Sequence, residues 1–195
     1  MASILLYHSR QLIQGVVQED LAMERDWLRT LDDEGLTPLA RVTSCCHMAL
    51  TEVLLRREAE DRSVSLSGSS TLHKAAYIGL PEAVSVILND GQDPNARDKY
   101  GEAPLHKAAR QGHEKVVALL LQKGADPNAA DVFGLTPLHW TAMVGHANIT
   151  DILLDNGADP DYLSEFLDYL SPEDLARIMG NTPILDLFAR ARGVS

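Results

Sequence analysis

Thr71-Leu72-His73-Lys74-Ala75-Ala76 is the stretch that decides the fold, because it returns twice at a fixed step. It recurs as Pro104-Leu105-His106-Lys107-Ala108-Ala109 and as Pro137-Leu138-His139-Trp140-Thr141-Ala142, so that the leucines stand 33 residues apart. Gly79, Gly112 and Gly145 keep the same step, as do Gly91, Gly124 and Gly157. Asp93-Pro94-Asn95 recurs as Asp126-Pro127-Asn128 and, loosened, as Asp159-Pro160-Asp161. A period of this length marks stacked supersecondary units, none of which can bury its apolar face alone.

Local chemistry specifies each unit. Thr before Pro opens a first helix, with Thr as N-cap and Pro at the first helical position. The alanine pairs are small where helices of adjacent units approach closely. Gly79, Gly112 and Gly145 end that helix, where a left-handed residue is wanted. Val84, Val86, Ile87 and Leu88 give a second helix its apolar face, as do Val116, Val117 and Leu119–Leu121. The second set of glycines closes it.

These segments resemble ankyrin repeats, whose signature runs T-P-L-H-x-A-A-x-x-G-H, then a V-V-x-L-L-L-like stretch, then G-A-D-x-N. The resemblance implies an all-α solenoid of stacked helix-turn-helix units with β-turn or hairpin tips, used for binding another protein. It also implies that His73, His106 and His139 hydrogen-bond between turns and helix ends. Asn95 and Asn128 resemble the asparagine that can be hydroxylated in ankyrin repeats of animal proteins, with Pro in place of the more usual Val.

The register predicts a single domain over 1–195. Residues 1–34 read as an N-terminal cap with helices at Leu5–Val17 and Glu19–Leu31. Residues 35–67 read as a degenerate repeat opened by Gly35-Leu36-Thr37-Pro38-Leu39, with His47 in register with His113 and His146. Regular repeats follow at 68–100, 101–133 and 134–166. Leu163, Phe166, Leu167 and Leu170 have helical spacing, and Ser171-Pro172-Glu173-Asp174 has the composition of a helix start. An inserted helical segment over 162–180, overlapping the last repeat, is therefore expected. Gly180-Asn181-Thr182-Pro183-Ile184 arrives 13 residues late for a new unit, so 181–195 reads as a C-terminal cap helix.

Composition bounds the function. The chain has 195 residues, is 45% hydrophobic but only 5% aromatic, and has a mean hydropathy of −0.11. Its core must then be aliphatic, and apolar runs such as Val116–Leu121 fall far short of a membrane span. Met1–Tyr7 lacks the positive flank and cleavage site of a secretory signal, and Ala2 excludes N-myristoylation. Cys45 and Cys46, the two cysteines, are adjacent, so they suit buried thiols in a reducing compartment better than a disulfide or zinc site. A cytoplasmic protein is expected, or a nuclear one in a eukaryote. The net charge of −11 disfavours nucleic acid and anionic membranes as partners.

The charge is uneven. Met1–Glu34 holds 3 basic and 7 acidic residues, Gly35–Phe133 holds 11 and 12, and Gly134–Phe166 holds 5 acidic residues and none that are basic.

Features that suggest chemistry have structural explanations. Histidines in successive repeats stand roughly 10 Å apart, whereas metal ligands lie about 2 Å from a shared ion. Asp93-Pro94-Asn95 lacks EF-hand spacing and suits a turn. The sequence has no G-x-S-x-G, phosphate-cradling glycine loop or H-E-x-x-H, so no enzyme, metal or cofactor is expected.

The predicted partner-binding residues lie on the first helices and turn tips, which line the concave face of such a stack. Arg41, Lys74, Lys107 and Trp140 share one register column. Ser44-Cys45, Tyr77-Ile78, Arg110-Gln111 and Met143-Val144 form another. Leu66-Ser67, Lys99-Tyr100 and Val132-Phe133 are the tips. A basic stretch through Lys74, Lys107 and Arg110 thus leads to an apolar patch of Tyr100, Phe133, Trp140, Met143 and Val144. That combination predicts an adaptor or scaffold that grips an acidic segment carrying an apolar anchor. The alternatives are an inhibitor or immunity-like protein blocking an enzyme through Tyr162–Leu170, and a structural protein that self-associates through Val132, Phe133, Trp140 and the extra helix.

Overall fold

The computed structural model describes residues 69–193, which fall within one compact unit of the chain. The expectations for the N-terminal cap, the degenerate repeat, Arg41, Cys45, Cys46, His47 and Leu66-Ser67 lie outside the described residues. The helices are α1 (Thr71–Ile78), α2 (Pro81–Asn89), α3 (Pro104–Gln111), α4 (Glu114–Gln122), α5 (Pro137–Val144), α6 (Ala147–Asp155), α7 (Pro172–Met179) and α8 (Thr182–Ala191). No strand occurs among the described residues, and the architecture is the all-α stack of helix pairs that the period predicts.

The first helices α1, α3 and α5 begin after an extended residue and end at a left-handed glycine, Gly79, Gly112 or Gly145. Gly79 shows why the residue is required. Its φ is +85°, and a Cβ there would lie 2.4 Å from Nδ1 of His113 in the next unit. First helices pack on first helices, α1 to α3 to α5 to α7. Second helices pack likewise, α2 to α4 to α6 to α8, so the stack has two layers. Leu72, Leu105 and Leu138 are fully buried in register, with Ile87, Leu120 and Leu153 opposite them. Burying one such side chain contributes about 2 kcal/mol.

The C-terminal part differs from the sequence expectation. The stretch 163–170 is not a helix. It contains one turn of 3-10 helix, Glu165–Leu167, closed by an antiparallel bridge between Ser164 and Leu170. Nor is 181–195 a lone cap helix. α7 occupies the first-helix layer against α5, and α8 occupies the second-helix layer against α6. The two form a fourth helix pair joined by Gly180-Asn181, as Gly112-His113 joins α3 to α4. Gly180 is left-handed with φ 73°, the counterpart of Gly145 displaced by two residues beyond the period. Thr182-Pro183 therefore opens the second helix of a unit, not the first.

The fourth pair departs from the others at two register positions. Ala76, Ala109 and Ala142 are fully buried, whereas the same register position holds Arg177, exposed and ion-paired to Glu173 and Asp174. At the N-cap, Ser171 and Asp174 bond reciprocally: Ser171 N donates to Asp174 Oδ2 at 3.0 Å, and Asp174 N donates to Ser171 Oγ at 3.2 Å. Asp174 stands where the earlier units carry histidine. Arg192 ties the end of α8 to Asp161 and Glu173, and Arg190 pairs with Asp151.

Candidate functional site

The tips that precede each first helix are organised by one buried residue. Asp98 Oδ1 accepts the N–H groups of Tyr100 at 2.9 Å and Glu102 at 3.0 Å. Asp131 repeats this with Phe133 at 2.8 Å and Leu135 at 2.9 Å. These bonds tuck the aspartate inward and push the intervening side chains outward, so Tyr100, Val132 and Phe133 are exposed. Adjacent tips are joined directly, with Val132 N donating to Tyr100 O at 3.0 Å. Arg97 Nη1 also donates to the carbonyls of Gly101 and Ala130.

The tip after α6 follows the same plan with a substitution and an insertion. Ser164 takes the aspartate's place, its Oγ donating to Phe133 O at 2.8 Å. Seven residues, Ser164–Leu170, replace the five of Asp131–Leu135. The longer loop is closed by Asp168 (φ 51°) and Tyr169 (φ 62°), both left-handed without being glycine. Phe166 and Tyr169 are 65% and 63% exposed, and the Phe166 ring packs on Phe133 with centroids 4.7 Å apart.

The expected basic stretch does not survive as a free surface. Lys107 is buried and bonded to both Asp98, at 2.9 Å, and Glu102. Arg110 pairs with the same Glu102 at 3.0 Å. Two cations and two carboxylates thus neutralise one another inside the unit. Burial works against the charge on Asp98, but the Lys107 ammonium and the Tyr100 and Glu102 N–H groups outweigh it and hold its pKa below the usual value. Sequence reading could not see this, because Asp98 and Glu102 meet Lys107 only once the tip folds back on α3.

One repeat later the lysine position holds Trp140, and the consequence is local. Burial lifts the Asp131 carboxyl above its usual range, the Leu135 and Phe133 N–H groups oppose that only in part, and Glu102 adds to it. The Trp140 indole N–H is buried and makes no hydrogen bond of full geometry, although it faces and favours the charged Asp131. Arg110 lies over the Trp140 ring, 4.8 Å from its centroid. Phe133, Trp140 and Arg110 are therefore gathered around Asp131 and Glu102.

The remaining predicted residues divide by exposure. Tyr77, Lys99, Gln111 and Val144 are exposed, while Lys74, Ile78 and Met143 are half-buried. Lys99 lies over the Tyr100 ring at 4.9 Å. Leu163, Phe166 and Tyr169, which the sequence offered only within the Tyr162–Leu170 segment of the inhibitor alternative, are more than half exposed, as are Ile178 and Met179, which it did not place on the binding surface. Ile178 and Met179 continue the Met143-Val144 column once the two-residue insertion is allowed for. The signal that could have found them is the Ser-Pro helix start at 171, matched to Thr136-Pro137.

The histidine rows are accounted for by hydrogen bonds. Nδ1 of His73, His106 and His139 accepts the N-cap N–H of Ser70, Ala103 and Thr136 at 3.2, 3.0 and 3.1 Å. The proton must then sit on Nε2, which donates to the carbonyl of Glu102, Leu135 or Leu170 in the next tip. Burial depresses these pKa values, to about 4 for His106 and His139. His113 and His146 bond carbonyls of the preceding unit, Tyr77 O and Arg110 O. Asn181 takes that role in the fourth pair, donating to Ala142 O at 2.6 Å. Asn95 and Asn128 likewise link repeats, each donating to a glycine carbonyl and accepting a backbone N–H.

Comparison with known proteins agrees with this geometry. Residues 72–164 match the family model for ankyrin repeats in three copies, and this segment is an ankyrin-repeat array. Similarity extends to the mouse protein named ankyrin repeat and SAM domain-containing protein 6, at 32% identity over 92 residues. That match covers 47% of this chain and 10% of the relative, so only a short part of the relative is represented. Ankyrin repeats are generally protein–protein interaction modules. No described helix is long and apolar enough to cross a membrane.

Proposed function

We propose that the chain is a non-catalytic interaction module, an adaptor or scaffold, whose partner protein sits across the tips and the exposed ends of the first helices. The observation that carries this reading is Trp140. Register and packing suit a lysine there, because Lys107 at the equivalent place neutralises a buried aspartate. A tryptophan forgoes that ion pair, leaves Asp131 without a cation partner and puts a large ring on the helix that follows the tip exposing Phe133. A residue that breaks the local pattern at a structural cost is best explained by contact with something else, and Trp, Tyr and Arg dominate binding hot spots. Of the predicted residues, Tyr77, Tyr100, Arg110, Val132, Phe133, Trp140, Met143 and Val144 keep this role. Lys107 is taken up by Asp98 and Glu102 and leaves the binding set. The negative balance makes nucleic acid a poor partner, and the adjacent cysteines suit a reducing, cytoplasmic compartment.

Trp140→Lys tests this directly. The variant should fold with a Tm within about 4 °C of wild type, because the new ammonium meets Asp131. Partner capture from extract by the full chain should fall by about tenfold or more. Capture unchanged by Trp140→Lys would remove the reading.

A further inference from the structure

We infer that the long tip Ser164–Leu170, with Phe133 behind it, docks a partner segment that combines a lysine or arginine with an apolar anchor. The inference rests on the interaction-module reading and names the chemistry of one part of that surface. The first observation is exposure: Phe166 and Tyr169 stand out to solvent at 65% and 63%, beside Leu163, and Phe166 is steadied by its contact with Phe133. The second is backbone strain. Asp168 and Tyr169 both sit at positive φ, a conformation costly for an aromatic residue. The 3-10 turn and these two left-handed residues, closed by the Ser164–Leu170 bridge, form the loop that exposes Phe166 and Tyr169.

Charge identifies the occupant. Between Lys123 and Arg177 the chain has no lysine or arginine and ten carboxylates. The nearby cations Arg177, Arg190 and Arg192 are paired to Asp151, Asp161, Glu173 and Asp174. Glu165 and Asp168, which flank Phe166 in the tip, are exposed and have no ion pair among the described residues. An apolar anchor inside an acidic surround selects a basic, apolar segment. A second copy of this chain would bring Glu165 and Asp168 against their own kind, and an acidic segment would meet the same repulsion with Lys107 and Arg110 already neutralised.

The test is selection of a displayed library of random peptides, each about twelve residues long, on the immobilised full chain. Enriched peptides should combine Lys or Arg with Trp, Phe or Leu. Synthesised, they should bind Phe166→Ser/Tyr169→Asn at least about tenfold more weakly than wild type. Glu165→Gln/Asp168→Asn should cost about three- to tenfold and most of the salt dependence. Circular dichroism of both variants checks that the stack is intact. Acidic or uncharged consensus peptides, unchanged affinity for the Phe166/Tyr169 variant, or no enrichment would each overturn the inference. Peptides lost on Trp140→Lys but held by the tip variant would overturn it while leaving the interaction module standing.

Discussion

His106 couples the local stability of one repeat to the tip of the next. Its Nδ1 accepts the Ala103 N–H and its Nε2 donates to Leu135 O, so the ring must be neutral and carry its proton on Nε2. A second proton would have to displace the Ala103 bond inside a buried site, and burial lowers the pKa to about 4. The folded value lies below the unfolded value of about 6.5, so the unfolded chain binds more protons between the two. The stabilisation is complete above about pH 6.5 and is lost as the pH falls towards 4. For this one ring it amounts to roughly 3 kcal/mol, and His73 and His139 act in the same sense. Urea midpoints should fall from pH 7.5 to 4.5, and His106→Gln should be less stable at pH 7.5 but show a shallower slope. An unchanged slope would contradict the assignment of His106 as buried and neutral.

At the scale of the element, the tip after α6 explains both what could be read from the sequence and what could not. The three regular units were legible because Leu-His-x-Ala, the capping glycines and the Asp-Pro-Asn turns each have one local role and keep one period. The fourth pair was not, because a two-residue insertion within Ser164–Leu170 shifted every later marker. Gly180-Asn181-Thr182-Pro183 then resembled a late unit start, although Gly180 ends α7 and Pro183 lies in the first turn of α8. Helical spacing at Leu163, Phe166, Leu167 and Leu170 misled for a related reason. Ser164 is recruited by Phe133 O and Leu170, and this tertiary pairing overrides the periodic signal. The strained loop gives an expected outcome of its own. Asn tolerates the left-handed region better than Tyr, so Tyr169→Asn should leave thermal stability unchanged or raise it by up to about 1 kcal/mol. A marked loss of stability would mean that Tyr169 is a packing residue.

For the whole described stack, the two layers separate structural from interactive surface. Second helices bury Val84, Ile87, Val117, Leu120, Ile149 and Leu153, and salt links such as Arg190–Asp151 fasten their layer at the end. The tips and first-helix ends carry most of the exposed large apolar side chains, with Val86 an exception on α2. Choosing this face from sequence was feasible because tip and helix-end positions follow from the register. Its charge was not, since Lys107 and Arg110 find Asp98 and Glu102 only in the folded unit. Docking of a partner protein on this face is read out by hydrogen exchange on the full chain with and without a captured partner. Slowed exchange should concentrate in the tips at 131–135 and 163–170 and in the C-terminal turns of α5 and α7. Protection confined to the second helices α2, α4, α6 and α8, with the tips unchanged, would contradict it.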